Sequence, residues 1–369
     1  MRVGIEFCRF HKEHNGGKCQ VAYNLLKGFY ENGHGDDIVC FCHEDLREVI
    51  LKIEPNANVV IVHDFKGEKT IIPNRRKVGK CLGDLVKEQN IDVMLFTDKH
   101  APIVKTKCKS ILIAHDILVF IASKNKDIEF HARSVFMDKA LLYIDFLLHD
   151  YIIAISDYDK NSMIKYIAKT NKIKRIYNPI VFPKYQNYQE KKYITALNIQ
   201  HPHKNIMTLI RAFNEVKDKM DYDLILVGKE PPNIQEIKEY IEHNNLQSRV
   251  TITGFMVEER IKDIISKTRI YINPSLFEGF GMTTVEMMGS KIPIICADNS
   301  AQKEVTCGKG RYYFPAQDAH ALALAIQDEL DMPTSVSLLD EYANLMKDKY
   351  DYRVIASEYW DFFSECIEE

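Results

Sequence analysis

Short apolar runs alternate with amphipathic segments along almost the whole chain. RVGIEF, DIVCFC, ANVVIVH, DVMLFT, SILIAH and YIIAIS are separated by stretches such as GGKCQVAYNLLKGFYENGH, in which Val21, Leu25, Leu26 and Phe29 have helical spacing. Runs that are apolar at nearly every position are strands covered on both faces, and intervening helices make such sheets parallel. The pattern stops at YNPIVFPKYQNYQEKK (Tyr177–Lys192), which has two prolines and no periodicity. A second series then begins, with KYITALN, YDLILVG, RVTITG and RIYINP as its strands. The expectation is an α/β chain of two doubly wound (Rossmann-like) domains facing each other across a cleft. Residues 1–182 would form the first, 183–350 the second. Residues 351–369 would add a helix packing back toward the first domain, with Val354, Tyr359, Trp360 and Phe363 as its apolar members. A chain of 369 residues suits two domains better than one.

Composition removes several alternatives. The chain is 46% hydrophobic and 27% charged, ordinary for a globular protein with a large core. The start, MRVGIEFCRF, reads as a strand rather than a signal peptide. The most apolar window, ALLYIDFLLHDYIIAIS, is interrupted by Asp145, His149 and Asp150, so it reads as a buried helix running into a strand. Nine cysteines without a C-x-x-C pair read as core thiols in a reducing cytosol, with Cys40 and Cys42 on one strand face. A net charge of −3 argues against bulk nucleic-acid binding. The charge is uneven: residues 1–185 hold 29 Lys/Arg and 23 Asp/Glu, a net +6, which leaves −9 for residues 186–369. Basic clusters at Asn74–Lys80, Lys105–Lys109 and Lys169–Arg175 each suit a solvated face. Together they suggest that the first half meets something anionic.

The densest chemistry lies in SLFEGFGMTTVEMMGSKIPIICAD, Ser275–Asp298. Glu278 and Glu286 stand seven residues apart across a turn that leads from the strand RIYINP into the helix GMTTVEMMGS. Gly279 and Gly281 permit positive φ and close approach of backbone to a ligand. Free amides at Gly281–Thr284, with the helix dipole, suit a diphosphate. A carboxylate at Glu278 would repel phosphate but can accept two hydrogen bonds from sugar hydroxyls. Glu286, one and a half turns into the helix, could reach a ribose diol.

The stretch resembles the E-x7-E signature of retaining glycosyltransferases of family 4, the group 1 transferases, whose architecture is called GT-B. HKNIMTLIRAFNEV, YDLILVG, VTITGFMVEERIKDII and GRYYFPAQDAHALALAI resemble further segments of that family. In the first half Gly16–Gly17, AHD at Ala114–Asp116, AIS before DYDKNSMIKY, and YNP at Tyr177–Pro179 fall in the family's order. The resemblance implies that Glu278 holds hydroxyls of the transferred sugar and Glu286 the ribose. Backbone at Phe280, Gly281 and Met282 would touch the sugar, while Thr283 and Thr284 bind the diphosphate. Lys204 would neutralise the leaving diphosphate, and His115 would lie beside the donor sugar. Gly16 and Gly17 would let a loop close over phosphate or acceptor. The turn Gly254–Val257, with Phe255 and Met256, would receive the base through its backbone. The family's arginine before the lysine has no counterpart in ALNIQHPHKN; His201 or His203 stands in its place, and His203 is counted with the donor-binding residues.

The resemblance therefore implies a retaining glycosyltransferase using a UDP- or GDP-sugar and a glycan or lipid-linked acceptor, in cell-surface polysaccharide or glycoconjugate synthesis. The expected location is the cytoplasm, with weak peripheral contact at the anionic inner face of the cell membrane. No cofactor is expected. Asp157 and Asp159 form a D-x-D pattern of the kind that holds metal, but Ser156 and Asp159 read as a helix N-terminal cap, so no metal site is assigned. Two other readings carry weight: a nucleotide-sugar epimerase, and an inactive sugar-nucleotide-binding partner subunit. The presence of Glu278, Glu286 and Lys204 argues against the latter.

Overall fold

The computed structural model describes all residues except 11–15, 64–70, 100, 105, 116, 123–131, 168–169, 184–190 and 369, and in addition leaves out the side chains of 71–74, 122 and 132–134. Asp116 of the AHD motif, Lys105, Lys169 and most of the proline-containing connection lie outside the described residues. Among those described, seven strands form one sheet: β1 Val3–Glu6, β2 Ile38–Cys42, β3 Asn58–Ile61, β4 Val93–Phe96, β5 Lys109–Ala114, β6 Tyr151–Ala154 and β7 Ile173–Arg175. Six form another: β8 Tyr193–Leu197, β9 Asp223–Val227, β10 Val250–Ile252, β11 Thr268–Asn273, β12 Ile294–Ala297 and β13 Arg311–Tyr313. The spatial orders are β3-β2-β1-β4-β5-β6-β7 and β10-β9-β8-β11-β12-β13, and every pairing is parallel. Each sheet thus runs outward in both directions from its first strand. The chain reverses direction across the sheet between β1 and β4 in one and between β8 and β11 in the other. Connections leave such a switch point on opposite faces, so the carboxyl ends of those two strands border an open crevice.

The chain forms two compact units. One comprises Met1–Ile121, Phe130–Val181 and Lys349–Glu369; the other is built on Phe182–Asp348. In the first, helix Tyr352–Glu368 lies on helix Gly17–Glu31. Gly28 permits this approach, because a Cβ there would stand 2.6 Å from the Tyr352 carbonyl oxygen. Tyr359 and Phe363 are buried in the contact and Trp360 stacks on His34. Val354, expected among the apolar members, is instead 47% exposed, because the buried side of the helix is set by Tyr352, Ile355, Ala356, Tyr359 and Phe363.

Two further expectations are corrected. The cluster Asn74–Lys80 is not wholly a solvated face. Helix Ile71–Glu88 turns Arg75 inward with Val78, Leu82 and Val86, where its guanidinium pairs with buried Asp145 and donates to the Ala101 carbonyl at 2.7 Å. Removing either partner would leave a buried charge unpaired, at a cost of about 3–5 kcal/mol. Nor is the apolar window Ala140–Ser156 buried throughout. Helix Ala132–Leu148 buries Leu141, Leu142, Asp145 and Phe146, yet turns Phe136, Tyr143, Ile144 and Leu147 outward, with Phe136 81% and Leu147 80% exposed. The helix is apolar on both sides, so periodicity could not distinguish its inner face from its outer one. All nine cysteines are free, and Cys40 and Cys42 are both buried on β2. Ser156 caps helix Asp157–Tyr166 by accepting from the Asp159 amide at 3.0 Å.

Candidate active site

β8 ends at Leu197 and its connection passes through the short turn Pro202–Lys204 into helix Ile206–Val216. β11 ends at Asn273 and leads through Pro274–Gly281 into helix Met282–Gly289. The two connections start from neighbouring strands at the switch point of the second sheet. There Lys204 Nζ donates to Glu278 Oε1 at 2.6 Å. Neither motif alone signals this contact, since the partners are 74 residues apart.

Several residues that the sequence did not single out hold the pair in place. Asn205 takes a left-handed conformation with φ 54°, and its amide donates to the carbonyls of Pro274 (3.1 Å) and Ala316 (2.8 Å). This fastens the residue beside Lys204 to the end of β11. Glu278 Oε1 also accepts from Ser275 Oγ at 2.8 Å and from Asn273 Nδ2 at 3.3 Å. The Glu278 amide donates to Ser300 Oγ at 2.9 Å. Asn273 donates in turn to Thr284 Oγ1 at 2.9 Å, which links the carboxylate to the first turn of the helix. The available signal was positional: Asn273, Ser275 and Asn205 are polar residues set at the end of an apolar strand or beside the lysine.

Gly281 adopts φ 92°, a conformation that a side chain would strain, so the glycine is required by its backbone. Gly279 does not use positive φ. The expected row of free amides is also shorter than Gly281–Thr284. The Thr284 amide donates to the Gly281 carbonyl at 3.0 Å, its hydroxyl accepts from Asn273, and the residue is fully buried. Thr284 is thus part of the scaffold. Among the described residues no group accepts from the amides of Met282 and Thr283, as the first turn of a helix requires. Thr283 Oγ1 accepts from the Tyr271 hydroxyl at 3.1 Å, and Phe280 is buried.

The two glutamates differ electrostatically. Burial works to raise the Glu278 carboxyl, but the ammonium of Lys204, with Ser275 and His203, holds it below its ordinary value. Glu286 is half-buried and has no such counterweight, so burial pushes its carboxyl up to about 7. His201 and His203 stack, with ring centroids 5.4 Å apart, and the His203 carbonyl accepts from the Leu276 amide at 2.7 Å. Burial and Lys204 both lower the His201 imidazole. Gly254 takes φ 69° just beyond β10 and bridges to Gly228 at the end of β9. Phe255 beside it is 72% exposed and Met256 half-buried.

In the other unit His115 follows β5 and is buried, with Nε2 2.8 Å from the Thr97 carbonyl. Gly16 precedes helix Gly17–Glu31 with φ −78°, so no glycine-only conformation is used there. Among the described residues no three His, Cys, Asp or Glu side chains form a group suited to a metal ion.

Residues 190–331 match the family model described as Glycosyl transferases group 1. They carry a group 1 glycosyltransferase domain. This domain contains Lys204, Glu278, Glu286 and the Gly254 turn. The O-antigen chain mannosyltransferase RfbU of Salmonella typhimurium is 27% identical over 204 residues, which is 55% of this chain and 56% of that protein. The O-antigen chain mannosyltransferase B of Escherichia coli is 26% identical over 155 residues, 40% of each. The chain thus matches about half the length of these curated relatives. Among solved structures, sucrose-phosphate synthase from Thermosynechococcus elongatus superposes with a TM-score of 0.79 at 15% identity, covering 100% of this chain and 99% of that one. Anabaena Alr3699/HepE in complex with UDP and glucose gives 0.74 at 15% identity, with 99% and 100% covered. At that identity the likeness establishes the fold, a GT-B pair of Rossmann-like domains.

The Lys204–Glu278 contact of the group 1 domain predicts a pH-dependent stability. Glu278 is lowered in the fold, so its contribution is present above its unfolded value near 4.5 and lost as pH falls through the folded value. Lys204→Met should cost about 1–3 kcal/mol at pH 7, since Ser275 and Asn273 still serve the carboxylate. Urea unfolding of both proteins should show a gap that holds from pH 7 to about 5 and narrows as pH falls below about 4.5. A gap that is absent, or the same at every pH, contradicts the contact.

Proposed function

We propose that the chain is a retaining glycosyltransferase that moves a sugar from a nucleotide-diphosphate sugar to a glycan or lipid-linked acceptor in cell-surface polysaccharide synthesis. The observation that carries this reading is the Lys204–Glu278 pair at the switch point, beside the open amides of helix Met282–Gly289. Departure of a nucleoside diphosphate builds negative charge. A fixed ammonium and helix amides stabilise that charge more than they stabilise the bound donor, which is the condition for catalysis. Lys204 and the amides of Met282 and Thr283 would take the diphosphate. Glu278 would take hydroxyls of the transferred sugar, Glu286 the ribose, and the Gly254 turn the base. His115 would lie beside the donor sugar. The names of the relatives, mannosyltransferases of O-antigen chains, support a polysaccharide acceptor. UDP in the HepE complex supports a nucleotide-sugar donor. With a lysine and a helix end available for the diphosphate, no metal is needed to neutralise it.

The two carboxylates give separable outcomes. The Glu278→Gln variant should bind UDP or GDP as well as the wild type or more tightly, because Lys204 loses its internal partner. Its transfer rate should fall about a hundredfold or more as the sugar loses alignment. Glu286 must ionise to accept from both ribose hydroxyls, so nucleotide affinity should rise with pH through about 7. Isothermal titration should show that added slope in the wild type and not in Glu286→Gln; the nucleotide's own titration is common to both. Loss of nucleotide binding in Glu278→Gln, with full binding in Glu286→Gln, reverses the assignment. The same assays run in EDTA should give unchanged rates, and a rate restored only by manganese would overturn the metal-free mechanism.

Peripheral contact with an anionic membrane is supported by the outer face of helix Ala132–Leu148 and by the net +6 of residues 1–185. No helix among the described residues is long and apolar enough to cross a membrane. Apolar side chains at the headgroup boundary and nearby lysines act together in such binding. Co-sedimentation with phosphatidylglycerol vesicles at low salt should fall several-fold in Phe136→Ser/Leu147→Ser. Equal sedimentation of the two proteins, or none for the wild type, removes this contact from the account.

A further inference from the structure

Glu278 is held by three segments of chain, and the third is the connection that follows β12. Its side chain is pinned at one oxygen: Lys204, Ser275 and Asn273 all donate to Oε1. Among the described residues no group donates to Oε2, and 12% of the side chain stays exposed. Oε2 is therefore the oxygen left for a ligand. With Oε1 fixed, the placement of Oε2 follows the backbone of Glu278. That backbone is fastened by Ser300 and Ala301. The Glu278 amide donates to Ser300 Oγ at 2.9 Å, and the Ala301 amide donates to the Glu278 carbonyl at 3.2 Å. Ser300 Oγ donates onward to Asn299 Oδ1 at 2.9 Å, and Asn299 Nδ2 donates to the Ser275 carbonyl at 3.0 Å. Ser275 Oγ then returns to Glu278 Oε1, so the bonds close a ring in which Ser300 is one member.

Ser300 adopts φ 48°, a left-handed conformation that strains a side chain. Glycine would take this turn without strain. Asparagine, which tolerates it, fills four of the seven non-glycine positions with positive φ among the described residues. What serine adds here is the hydroxyl that receives the Glu278 amide. Ser300 is half-buried, so water could serve that amide in its absence, and folding does not demand the hydroxyl. Strained residues of this kind gather at functional sites, where the surrounding bonds over-determine them.

We propose that Ser300 is a positioning residue for the sugar of a nucleotide sugar: it acts through Glu278, setting the reach of Oε2 toward a sugar hydroxyl. That this sugar is the one transferred rests on the transferase reading above. A hydroxyl held at Oε2 fixes how the sugar ring is turned about its bond to the diphosphate. A shift of the Glu278 backbone then moves the anomeric carbon out of line. A nucleoside diphosphate has no such ring, so its binding does not depend on Ser300.

Isothermal titration of the full chain with UDP, GDP, UDP-glucose and GDP-mannose, with transfer rates beside it, tests this on Ser300→Gly and Ser300→Ala. Both variants should bind the nucleotide sugar that the wild type prefers about tenfold more weakly, the loss of one net hydrogen bond to a charged partner. Affinity for the nucleoside diphosphates should not change. Transfer should fall about tenfold or more, and by the same factor in both. Urea should nevertheless unfold Ser300→Gly later than Ser300→Ala, since glycine holds the left-handed turn without strain. A merely structural serine would instead make activity follow stability. Full transfer by Ser300→Gly, a rate loss that follows stability, or a parallel loss of UDP or GDP affinity overturns the inference. A wild type that binds none of the four ligands overturns it together with the transferase reading. If the wild type binds a nucleotide sugar but turns none over, the transferase reading fails, and the same titrations decide the sugar contact. If donor is turned over and Ser300→Gly behaves as the wild type, the positioning role fails and the transferase reading stands.

Discussion

Lys204 and Glu278 are brought within 2.6 Å by the order of strands in one sheet, and much of the group 1 domain is arranged around that contact. Because β8 and β11 are neighbours, the connections leaving them start side by side. Asn205 then fastens one connection to the other, Asn273 and Ser275 join Lys204 in donating to Oε1 of the carboxylate, and Gly281 turns the chain into the helix. Lys204, Asn273, Ser275 and Glu278 are polar, partly or fully buried, and hydrogen-bonded to one another. Such a network fixes geometry more than it adds stability, because the desolvation of its charges offsets much of their attraction.

The E-x7-E motif places two chemically identical side chains in different electrostatic surroundings. Glu278, beside an ammonium, is held as a carboxylate. Glu286, pushed up to about 7 by burial with no ammonium beside it, is held near the midpoint of its titration at neutral pH. Environment separates the behaviour of two carboxyls in one site. The first is always ready to accept hydrogen bonds. The second gains that capacity with pH, and a ligand that requires the ionised form would draw its proton away.

The alternation of apolar runs and helical segments was legible because parallel strands are buried on both faces and leave unbroken apolar stretches. The N-terminal cap at Ser156 was legible for the same kind of reason: a local rule has a local signature. Contacts that depend on strand order had none. Nothing in HPHKN or SLFEGF says that Lys204 and Glu278 touch. Arg75 looked like one of several surface cations because its partner, Asp145, is 70 residues away. Helix Ala132–Leu148 looked buried because an apolar side chain reads the same whether it faces a core or solvent. Val354 looked like core because it shares a helix with Tyr359 and Phe363, one register step from their face.

The central claim is that the Lys204–Glu278 pair and the first turn of helix Met282–Gly289 form the seat of a nucleoside diphosphate. A crystal structure of the full chain with UDP tests it most directly. The account predicts a phosphate oxygen within hydrogen-bonding distance of Lys204 Nζ and of the Met282 or Thr283 amide, with the ribose hydroxyls on Glu286. A diphosphate bound elsewhere, with the Lys204–Glu278 contact undisturbed and no phosphate at the helix end, would contradict it.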